Sequence, residues 1–474
     1  MMKRTAPLAA VCMAVLLLAG CASVSTDATW DEVQADVAER TGRIARWHRG
    51  TRADQAVSAA VERMLQEGLT AEEAVQIALV NNRDLQATYE QLGIAQADLV
   101  QAGLLENPVF EGAFRFVRDD GQAYDLGVTQ HFLDVLLIPM RKKVAASQLE
   151  RTKMAVTAGV MDLVADVQVG TVRAQAARQV LAMRQEVLEA AEASYEMAQR
   201  LREAGNVTEL QLSLERELYE ESKLDVQAAE LAAVEAREEL NILLGLWGRN
   251  TDWELAGDLP EIPGQEMDLS EAESRAVRNS VDLAMAWEEL RTAASAMGVS
   301  WAETVSPELA AGIEAEGEDP GVWEVGPALA LPIPLFDRGQ AASARAEAEM
   351  RRLWNRYTDL AVRLRSETRM ARYRLQAARQ RAVYYRDVVM PLREQILRQT
   401  QLRYNAMFLG VFELLQAKQL ETDARRRYIE ALGNYWIVRA EMETLLRGRM
   451  IADSAASMGP GGGTAAGRRG GGGH

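Results

Sequence analysis

The stretch NPVFEGAFRFVRDDGQAYDLGVTQHF, residues 107–132, decides the fold because its side chains alternate between two chemical types. A turn-like Asp-Asp-Gly sequence separates its two halves. Strict alternation around a turn is typical of a β-hairpin that has one apolar face. The apolar face contains Phe110, Phe114, Phe116, Tyr124, Leu126 and Phe132, and the opposite face contains Glu111, Arg115, Asp125 and His131.

The second half of the chain repeats this pattern. Another alternating pair of segments spans residues 307–332, with Glu314 and Glu324 on the polar face and Trp323 on the apolar face. The residues that precede the two hairpins also correspond. Thr70 with Glu73, and Ser270 with Glu273, fit the capping box that opens a helix. The further matching positions are Ala78, Asn81, Asp84, Leu85, Tyr89 and Leu92 against Ala276, Asn279, Asp282, Leu283, Trp287 and Leu290.

Each hairpin leads into a long segment with few helix-breaking residues. We predict helical hairpins over residues 139–247 and 339–447. An ascending helix of about 65 residues would be about 100 Å long, at ~1.5 Å per residue. Pro391 should kink the second ascending helix, because it removes a backbone hydrogen bond. Thr208 and Gln211 form a capping box for the first returning helix.

The N-terminus predicts export and lipid attachment. Lys3 and Arg4 precede an apolar run at residues 6–18 that is too short for a permanent membrane helix. The following Leu-Ala-Gly-Cys resembles a bacterial lipoprotein signal, which implies cleavage before Cys21 and lipid on that cysteine. The alternative is an ordinary signal peptide with an incidental cysteine. Lipid attachment would explain a lone cysteine in an oxidising compartment.

These features divide the chain into five expected parts. A signal peptide (1–20) is followed by a lipid-anchored segment (21–68), and the last part (451–474) is a Gly-rich, disordered tail. The first repeat (69–268) contains the hairpin at 107–133, and the second repeat (269–450) contains the hairpin at 307–332. By analogy with known lipoproteins, Ala22 after the cysteine favours the outer membrane.

The strand lengths indicate a membrane barrel made by several copies. A strand of about 9–11 residues crosses a bilayer. The sheet must close, since lipid leaves no strand edge unpaired. Two copies would give a filled eight-stranded barrel, whereas three would give twelve strands around a lumen. The charged face favours three copies; a soluble hairpin packed on the helices is the alternative. The residues expected to face the lumen are Glu111, Arg115, Asp125, His131, Glu314 and Glu324, and those expected to face lipid are Phe110, Phe114, Phe116, Tyr124, Leu126, Phe132 and Trp323.

Charge is segregated between two of the predicted helices. Residues 209–239 hold ten acids and three bases, whereas residues 345–386 hold twelve arginines and four acids. One hypothesis is that the acidic returning helix packs beside the basic ascending helix, within or between subunits. The alternative is that both are solvated faces, because single surface ion pairs contribute little.

The sequence contains no pattern of an enzyme or of a metal site. It has no nucleotide-binding loop and no G-x-S-x-G motif, and none of its three histidines has a metal-like partner at suitable spacing. The net charge of −16 argues against nucleic acid as a partner. After the signal, no segment approaches the ~20 apolar residues of a spanning helix. We expect Met197, Met350, Met390 and Met407 to fill the core rather than to bind copper.

Together, the order and spacing of four motifs resemble the TolC family of outer-membrane efflux proteins. The motifs are LTAEEA (69–74), NNRDL (81–85), NP (107–108) and PIPLFDRGQ (332–340), and the similarity covers residues 69–446. The resemblance implies a homotrimer that shares a twelve-stranded barrel and continues into the periplasm as a helical barrel. It also implies the exit duct of a tripartite pump, with a periplasmic adaptor and an inner-membrane pump of the resistance-nodulation-division type.

The resemblance further implies that the loops between the long helices contact the adaptor and close the channel. The residues at these positions are Gly205, Asn206, Val207, Thr208, Leu409, Gly410 and Val411. Gly205 and Thr208 have the alternative role of only forming the turn. The sequence at 407–410 departs from the family's Gly-then-Thr/Ser pattern, so the equivalence of the two loops is in doubt. Arg393, Arg398 and Arg403 argue against an acidic gate.

Two functions from different classes stay open. The first is a passive export channel, and the second is a structural lipoprotein that spans the periplasm without conducting. Within the first class, residues 403–415 resemble a heavy-metal-associated branch of the family, which favours copper-type cation efflux over drug efflux as a further alternative. No cofactor is expected.

Overall fold

The computed structural model describes residues 24–117, 121–305, 310–319, 323–330 and 335–450. Cys21, the signal peptide, the Gly-rich tail and the tips of both β-hairpins lie outside the described residues. The chain divides into two compact units. Unit 1 comprises Met1–Leu163, Ile242–Glu254 and Val281–Arg363, and unit 2 comprises Val164–Asn241, Leu255–Ser280 and Leu364–His474.

Most of the described chain is helical, with four strands. The elements in chain order are α1 (Asp27–Thr41), α2 (Arg52–Glu67), α3 (Ala71–Asn81), α4 (Arg83–Gln101), β1 (Val109–Val117), β2 (Gly121–His131), α5 (Phe132–Glu203), α6 (Glu209–Leu244), a 3₁₀ turn (Gly248–Thr251), α7 (Ala272–Asn279), α8 (Val281–Val305), β3 (Ala310–Asp319), β4 (Glu324–Ala330), α9 (Gln340–Tyr384), a π-helical turn (Tyr385–Val389), α10 (Met390–Asn405) and α11 (Val411–Arg447).

The strands form one antiparallel sheet in unit 1, in the order β1-β2-β3-β4. The predicted strands and their hairpin pairing are therefore confirmed. Phe114 lies opposite Tyr124, and Leu126 lies opposite Ala315, which fixes the register across the first three strands. Phe132 lies outside the predicted strand, because β2 ends at His131 and Phe132 is the first residue of α5, and its contact with lipid stays a prediction. Alternation stops there: FLDVLL has consecutive apolar residues, as a helix allows and a half-buried strand does not.

Unit 1 is anchored by buried aromatic residues that join the N-terminal segment to α4. Trp30 packs edge-on against both Trp47 and Tyr89, at ring-centroid distances of 5.7 and 4.8 Å. Trp47 Nε1 donates to Glu90 at 2.9 Å. Tyr89 is fully buried, and this burial raises the pKa of its hydroxyl. The segment before α3 is thus part of the folded unit.

The capping box at Thr70 is confirmed, but the one at Ser270 is wrong. The Glu73 N–H donates to Thr70 Oγ1, and Glu73 Oε2 accepts from the Thr70 N–H at 2.9 Å. Ser270 instead donates its hydroxyl and its N–H to Asp268, each at 2.8 Å. Glu271 then becomes the N-cap of α7, without a side-chain bond. The competing carboxylate two residues earlier explains the difference.

In unit 2, the long helices are held side by side by polar contacts. Arg184 pairs with Asp225 at 2.7 Å, which joins α5 to α6. Arg425 on α11 pairs with Glu186 on α5 at 3.2 Å. A Cβ at Gly433 of α11 would lie 3.6 Å from the Ala176 side chain of α5, so these two helices are in close contact.

In unit 2, the part of the connection between α6 and α7 at residues 255–271 lies across the helices. Trp436 Nε1 donates to the Pro260 carbonyl oxygen at 2.8 Å, and the Tyr435 hydroxyl donates to Glu266 at 2.8 Å. Arg178 pairs with Asp258 at 2.9 Å. Contacts to α5 and α11 therefore fix this segment along its length.

Pro391 disturbs the second ascending helix in the predicted place. The π-helical turn at Tyr385–Val389 directly precedes Met390 and Pro391. Proline has no N–H to continue the helical ladder and crowds the preceding turn. Here the helix accommodates Pro391 by widening the preceding turn into a π-helical one.

Helix α5 departs from the expectation that no segment after the signal is apolar enough to span a membrane. By length and composition, its part Leu137–Glu203 qualifies as a candidate span. Within its apolar window, 61% is buried inside the described chain. Packing of α5 against the rest of the protein therefore accounts for this composition.

Candidate barrel wall and interhelical loops

The sheet has two chemically distinct faces, as the alternating sequence predicts. The register places Phe110 beside Val128 and Ile313 on one face. Phe110 and Phe114 are each 68% exposed, although both are large apolar residues. Such an exposed apolar surface costs free energy in water, at roughly 25 cal/mol per Å². A surface of this kind marks a contact with lipid or with another protein.

Aromatic rings from β1, from β2 and from Trp323, the residue directly before β4, lie side by side on this apolar face. Phe114 and Tyr124 pack edge-on with ring centroids 5.6 Å apart, and Tyr124 stacks with Trp323 at 6.2 Å. Gly317 lies beneath the Trp323 ring, where a Cβ would come within 2.8 Å of a ring carbon. The glycine thus makes room for the indole.

The opposite face carries carboxylates on neighbouring strands. Asp125, Glu316 and Glu324 are consecutive partners across β2, β3 and β4. Glu111 and Glu314 occupy the next row, with Gly127 between them. Like charges directly opposite one another destabilise a sheet. Water or cations next to this face would reduce that repulsion by screening it.

The structure assigns some of the predicted wall residues, but not all of them, to one of these two faces. Tyr124, Leu126 and Trp323 share the apolar face with Phe110 and Phe114. Arg115, Phe116 and His131 hold positions in β1 and β2, but their side chains lie outside the described residues. Lipid or lumen contact stays a prediction for the whole set.

Both outer strands of the sheet have one neighbour only. Among the described residues, β1 pairs with β2 and β4 pairs with β3. Each therefore presents a row of backbone N–H and carbonyl groups to whatever lies beside it. In a lipid environment these groups would need partners from another strand.

The first interhelical loop, residues 204–208 (loop 1), closes with a Schellman motif. The Asn206 N–H donates to the Leu201 carbonyl oxygen at 2.8 Å, and the Gly205 N–H donates to that of Arg202 at 2.9 Å. Gly205 has φ of 77°, as this motif requires. Thr208 and Gln211 then open α6 with the predicted capping box, at 2.7 and 3.2 Å.

The second loop, residues 406–410 (loop 2), closes in the same way despite its different sequence. The Phe408 N–H donates to the Arg403 carbonyl oxygen and the Met407 N–H donates to that of Tyr404, both at 2.9 Å. Met407 takes the position of the glycine, with φ of 62°. The doubt about the equivalence of the loops is thus removed at the level of the backbone. Gly410 caps α11 without a side-chain bond.

Loop 2 exposes apolar side chains that loop 1 lacks. Met407 is 93% exposed and Phe408 is 81% exposed. The expectation that Met407 fills the core is therefore wrong, and it is also wrong for Met197, which is 55% exposed. Met407 lies outside the packed helices, at the turn. The sequence does not indicate this position for Met407, because methionine rarely adopts positive φ.

An asparagine–glycine clasp occurs where each returning helix ends, once in each unit. Asn81 Nδ2 donates to the Leu244 and Gly245 carbonyl oxygens at 2.9 and 2.8 Å. Asn279 Nδ2 donates to the Leu446 carbonyl oxygen at 2.9 Å. Gly245 and Gly448 have positive φ. The sequence shows Asn81 and Asn279 as matching positions. Gly245 and Gly448 match in the same way, and this second correspondence is the sequence signal of the clasp that the sequence analysis did not use.

The ion pairs that the structure gives for the acidic helix α6 and the basic helix α9 do not join these two helices to each other. Glu239 on α6 pairs with Arg173 on α5, and Arg369 on α9 pairs with Glu273. Packing of the acidic helix against the basic one stays a prediction.

Glu215 on α6 is 3% exposed and accepts from the Ser194 hydroxyl at 2.8 Å, while its other oxygen has no hydrogen-bond partner among the described residues. Burial raises the pKa of Glu215.

Within the described ranges, the protein has no group of three or more His, Cys, Asp or Glu residues arranged to hold a metal ion. The acidic rows of the sheet are spread along neighbouring strands.

Comparisons with known proteins agree on the fold. No protein-family profile matches the chain. The cobalt-zinc-cadmium resistance protein CzcC of Cupriavidus metallidurans is 23% identical over 395 residues, which are 80% of this chain and 90% of CzcC. The crystal structure of CusC has a TM-score of 0.63 at 17% identity, covering 79% of this chain and 91% of CusC. The open state of the MtrE outer-membrane channel of Neisseria gonorrhoeae has a TM-score of 0.64 at 17% identity, covering 80% and 89%.

This chain matches CusC over 91% and MtrE over 89% of their lengths, and both of these structural neighbours are channel proteins of outer membranes. The resemblance that the sequence motifs suggest is therefore confirmed, and the chain has the fold of the TolC family of outer-membrane channels.

Proposed function

We propose that three copies of the chain form an outer-membrane channel, the exit duct of a tripartite efflux pump. The single observation that carries this proposal is the sheet, which has one exposed apolar face, one acidic face and two edges without a partner strand in the described part of the chain. Twelve strands from three copies would close the barrel and leave a lumen. The chain is not an enzyme, since the proteins that share its fold are channels.

The two faces receive opposite environments in this proposal. The face with Phe110, Phe114 and Trp323 contacts lipid, and the face with Glu111 and Glu314 lines the lumen. Exposed aromatic residues are then in a solvent that favours them. The repeated carboxylates are hydrated, and they give the lumen a negative potential that favours cations.

Purified trimers in planar bilayers test the channel. We expect stepwise conductance with a preference for cations, and Glu314→Gln should reduce this preference while leaving the assembly intact. Folded trimers that never conduct, with adaptor present or absent, would instead support the non-conducting periplasmic strut.

The orientation of the wall is tested by a matched pair of arginine substitutions. Phe114→Arg should block membrane assembly, because a lipid-facing arginine near the bilayer midplane costs about 2–4 kcal/mol. Glu111→Arg should be tolerated and should shift the ion preference towards anions. The opposite result, with assembly lost only in Glu111→Arg, would invert the two faces.

Anchoring and partners complete the proposal. Lipid on Cys21 would hold the N-terminus at the outer membrane, and loops 1 and 2 would contact the periplasmic adaptor that joins the inner-membrane pump. Intact-mass measurement of the mature protein tests the anchor: Cys21→Ala should lose the lipid mass. A mature wild-type chain without added lipid would contradict it.

The relative CzcC favours a metal cation as the exported substrate, since it is a cobalt-zinc-cadmium resistance protein. The acidic lumen is compatible with this cargo. In a deletion strain, expression of the chain should restore growth on divalent-metal medium more than on drug medium. Drug resistance alone would favour the drug-efflux alternative.

A further inference from the structure

We propose that the cleft between α7 and α9 binds an acidic peptide that presents two carboxylates about 10 Å apart. The residues of this cleft all belong to unit 2, and none of them belongs to the sheet or to the interhelical loops. The cleft is therefore a binding site in addition to the proposed channel.

Two adjoining cavities form the cleft. One has a volume of about 310 Å³ and the other of about 510 Å³, and Glu273, Ser274 and Arg369 line both of them. Ligand sites in proteins typically have volumes of about 300–1,000 Å³. The Arg369 guanidinium donates to a Glu273 carboxylate oxygen at 2.7 Å. This ion pair belongs to the wall that the two cavities share.

Each cavity has arginines of its own beside the shared ion pair. Arg372 lines the smaller cavity, and Arg365 and Arg278 line the larger one. All three are exposed, and none of them forms an ion pair within the described part of the chain. The whole chain has 69 acidic residues against 53 lysines and arginines. Acidic side chains are thus plentiful, yet the fold leaves these guanidinium groups open to an anion from outside.

Helix α9 holds its three arginines of the cleft in a row. Arg365, Arg369 and Arg372 are four and three residues apart, so they lie on one face of the helix. Leu364 and Thr368, which precede the first two arginines, are fully buried and fix the opposite side of α9. From the first to the last arginine the helix rises about 10 Å, at ~1.5 Å per residue.

The cleft already accommodates a carboxylate, because Arg369 holds that of Glu273. Guanidinium groups match carboxylates well, since their planar forks donate two parallel hydrogen bonds. A ligand with two carboxylates would place one in each cavity, on either side of this internal pair. The chemistry of the cleft therefore favours a dicarboxylate.

A peptide can supply two carboxylates at this spacing. Residues three apart in a polyproline II helix lie on one face, about 9 Å apart at ~3.1 Å per residue. Two glutamates at that spacing would reach Arg365 and Arg372. Single exposed ion pairs are weak, but two on one ligand act together because the first contact raises the effective concentration for the second.

Microscale thermophoresis on the purified full-length protein in detergent, at low ionic strength, tests the site. The probe is the blocked peptide Glu-Pro-Pro-Glu, whose prolines favour the polyproline II form. The matched peptide Glu-Pro-Pro-Gln keeps this form and loses one carboxylate. We expect the first peptide to bind about fivefold more tightly, which corresponds to ~1 kcal/mol for one exposed ion pair.

Paired double variants locate the binding. Arg365→Gln with Arg372→Gln should remove the preference, so that both peptides bind equally weakly. The control is Arg374→Gln with Arg381→Gln, which removes two exposed arginines of α9 that line neither cavity. The control should keep the fivefold preference, and circular dichroism should show the same helical content for both variants.

The outcomes separate this site from the proposed function. A wild-type protein that binds both peptides equally would overturn the site, as would a preference that survives Arg365→Gln with Arg372→Gln. A preference lost equally in the control would also overturn it, because general attraction to α9 would then be the cause. Conductance in planar bilayers without any peptide preference would leave the channel intact, whereas a located preference without conductance would leave the site intact and contradict the channel.

Discussion

Gly448→Ala should destabilise the protein strongly, because the glycine closes the clasp at the end of α11. Gly448 has φ of 105°, and a Cβ there would lie 1.9 Å from the carbonyl oxygen of Asn279 and 2.5 Å from its carbonyl carbon. Real Cβ atoms do not approach backbone so closely. The backbone around Asn279 would have to move, which would break the bond from its Nδ2 to Leu446.

The magnitude follows from two contributions. A non-glycine residue at positive φ costs about 1–2 kcal/mol, and the loss of the part-buried hydrogen bond from Asn279 costs about 0.5–1.5 kcal/mol. Gly448→Ala should therefore lower the free energy of unfolding by about 1.5–3.5 kcal/mol. Gly205→Ala is the matched control: its φ is 77°, and nothing lies within 4 Å of the added Cβ. Only the first contribution applies to it.

Thermal unfolding followed by far-ultraviolet circular dichroism, in one detergent and at one protein concentration, measures the difference. The apparent Tm should fall furthest for Gly448→Ala and least for Gly205→Ala. Gly245→Ala should fall between them, since its Cβ would lie 2.7 Å from the Asn81 carbonyl oxygen. Equal Tm values for Gly448→Ala and Gly205→Ala would refute the clasp as the cause.

Three further predictions concern the helical hairpins. Met407→Gly should raise the free energy of unfolding by up to about 1 kcal/mol in the same thermal assay, because glycine accepts positive φ; a lower stability would contradict this. Phe408→Ala should leave folding and conductance unchanged but weaken adaptor binding in surface plasmon resonance, and an unchanged affinity would count against loop 2 as the contact. Glu215→Gln should stabilise the protein at neutral pH. Because burial raises the pKa of Glu215, ionisation opposes folding above the raised pKa, and this penalty is relieved as the pH falls through it. The gain should therefore disappear below the ordinary carboxyl pKa, and a Glu215→Gln protein that is less stable at pH 7 would refute it.

The alternating stretches predicted the sheet well because both faces are specified by sequence. A shift of one residue would move Phe114 to the acidic face, so the pattern tolerates only one register. The end of β2 does not follow from the pattern, since an apolar Phe132 fits either a strand or a helix. Alternation alone could not show that α5 already begins there.

Local competition explains the other differences between sequence and structure. Ser270 has the spacing of a capping box, yet Asp268 is closer and takes both of its hydrogen bonds. Met407 adopts the conformation of a glycine because the two helix ends dictate the turn, and a sequence-based rule assigns that conformation to glycine or asparagine. The role of Asn279 depends on a carbonyl group 167 residues away, which spacing alone cannot indicate.

The clasps and the loops place different constraints on the two halves of the chain. Each clasp uses the same chemistry, an asparagine amide and a glycine at positive φ, since close backbone approach permits few alternatives. The loops share only their backbone hydrogen bonds: loop 1 presents Asn206 and Thr208, whereas loop 2 presents Met407 and Phe408. Folding therefore accounts for what the two halves share, and it leaves the side chains of the loops unconstrained. In the proposed trimer, a partner would meet three copies of each loop, and it could distinguish loop 2 by burying Met407 and Phe408.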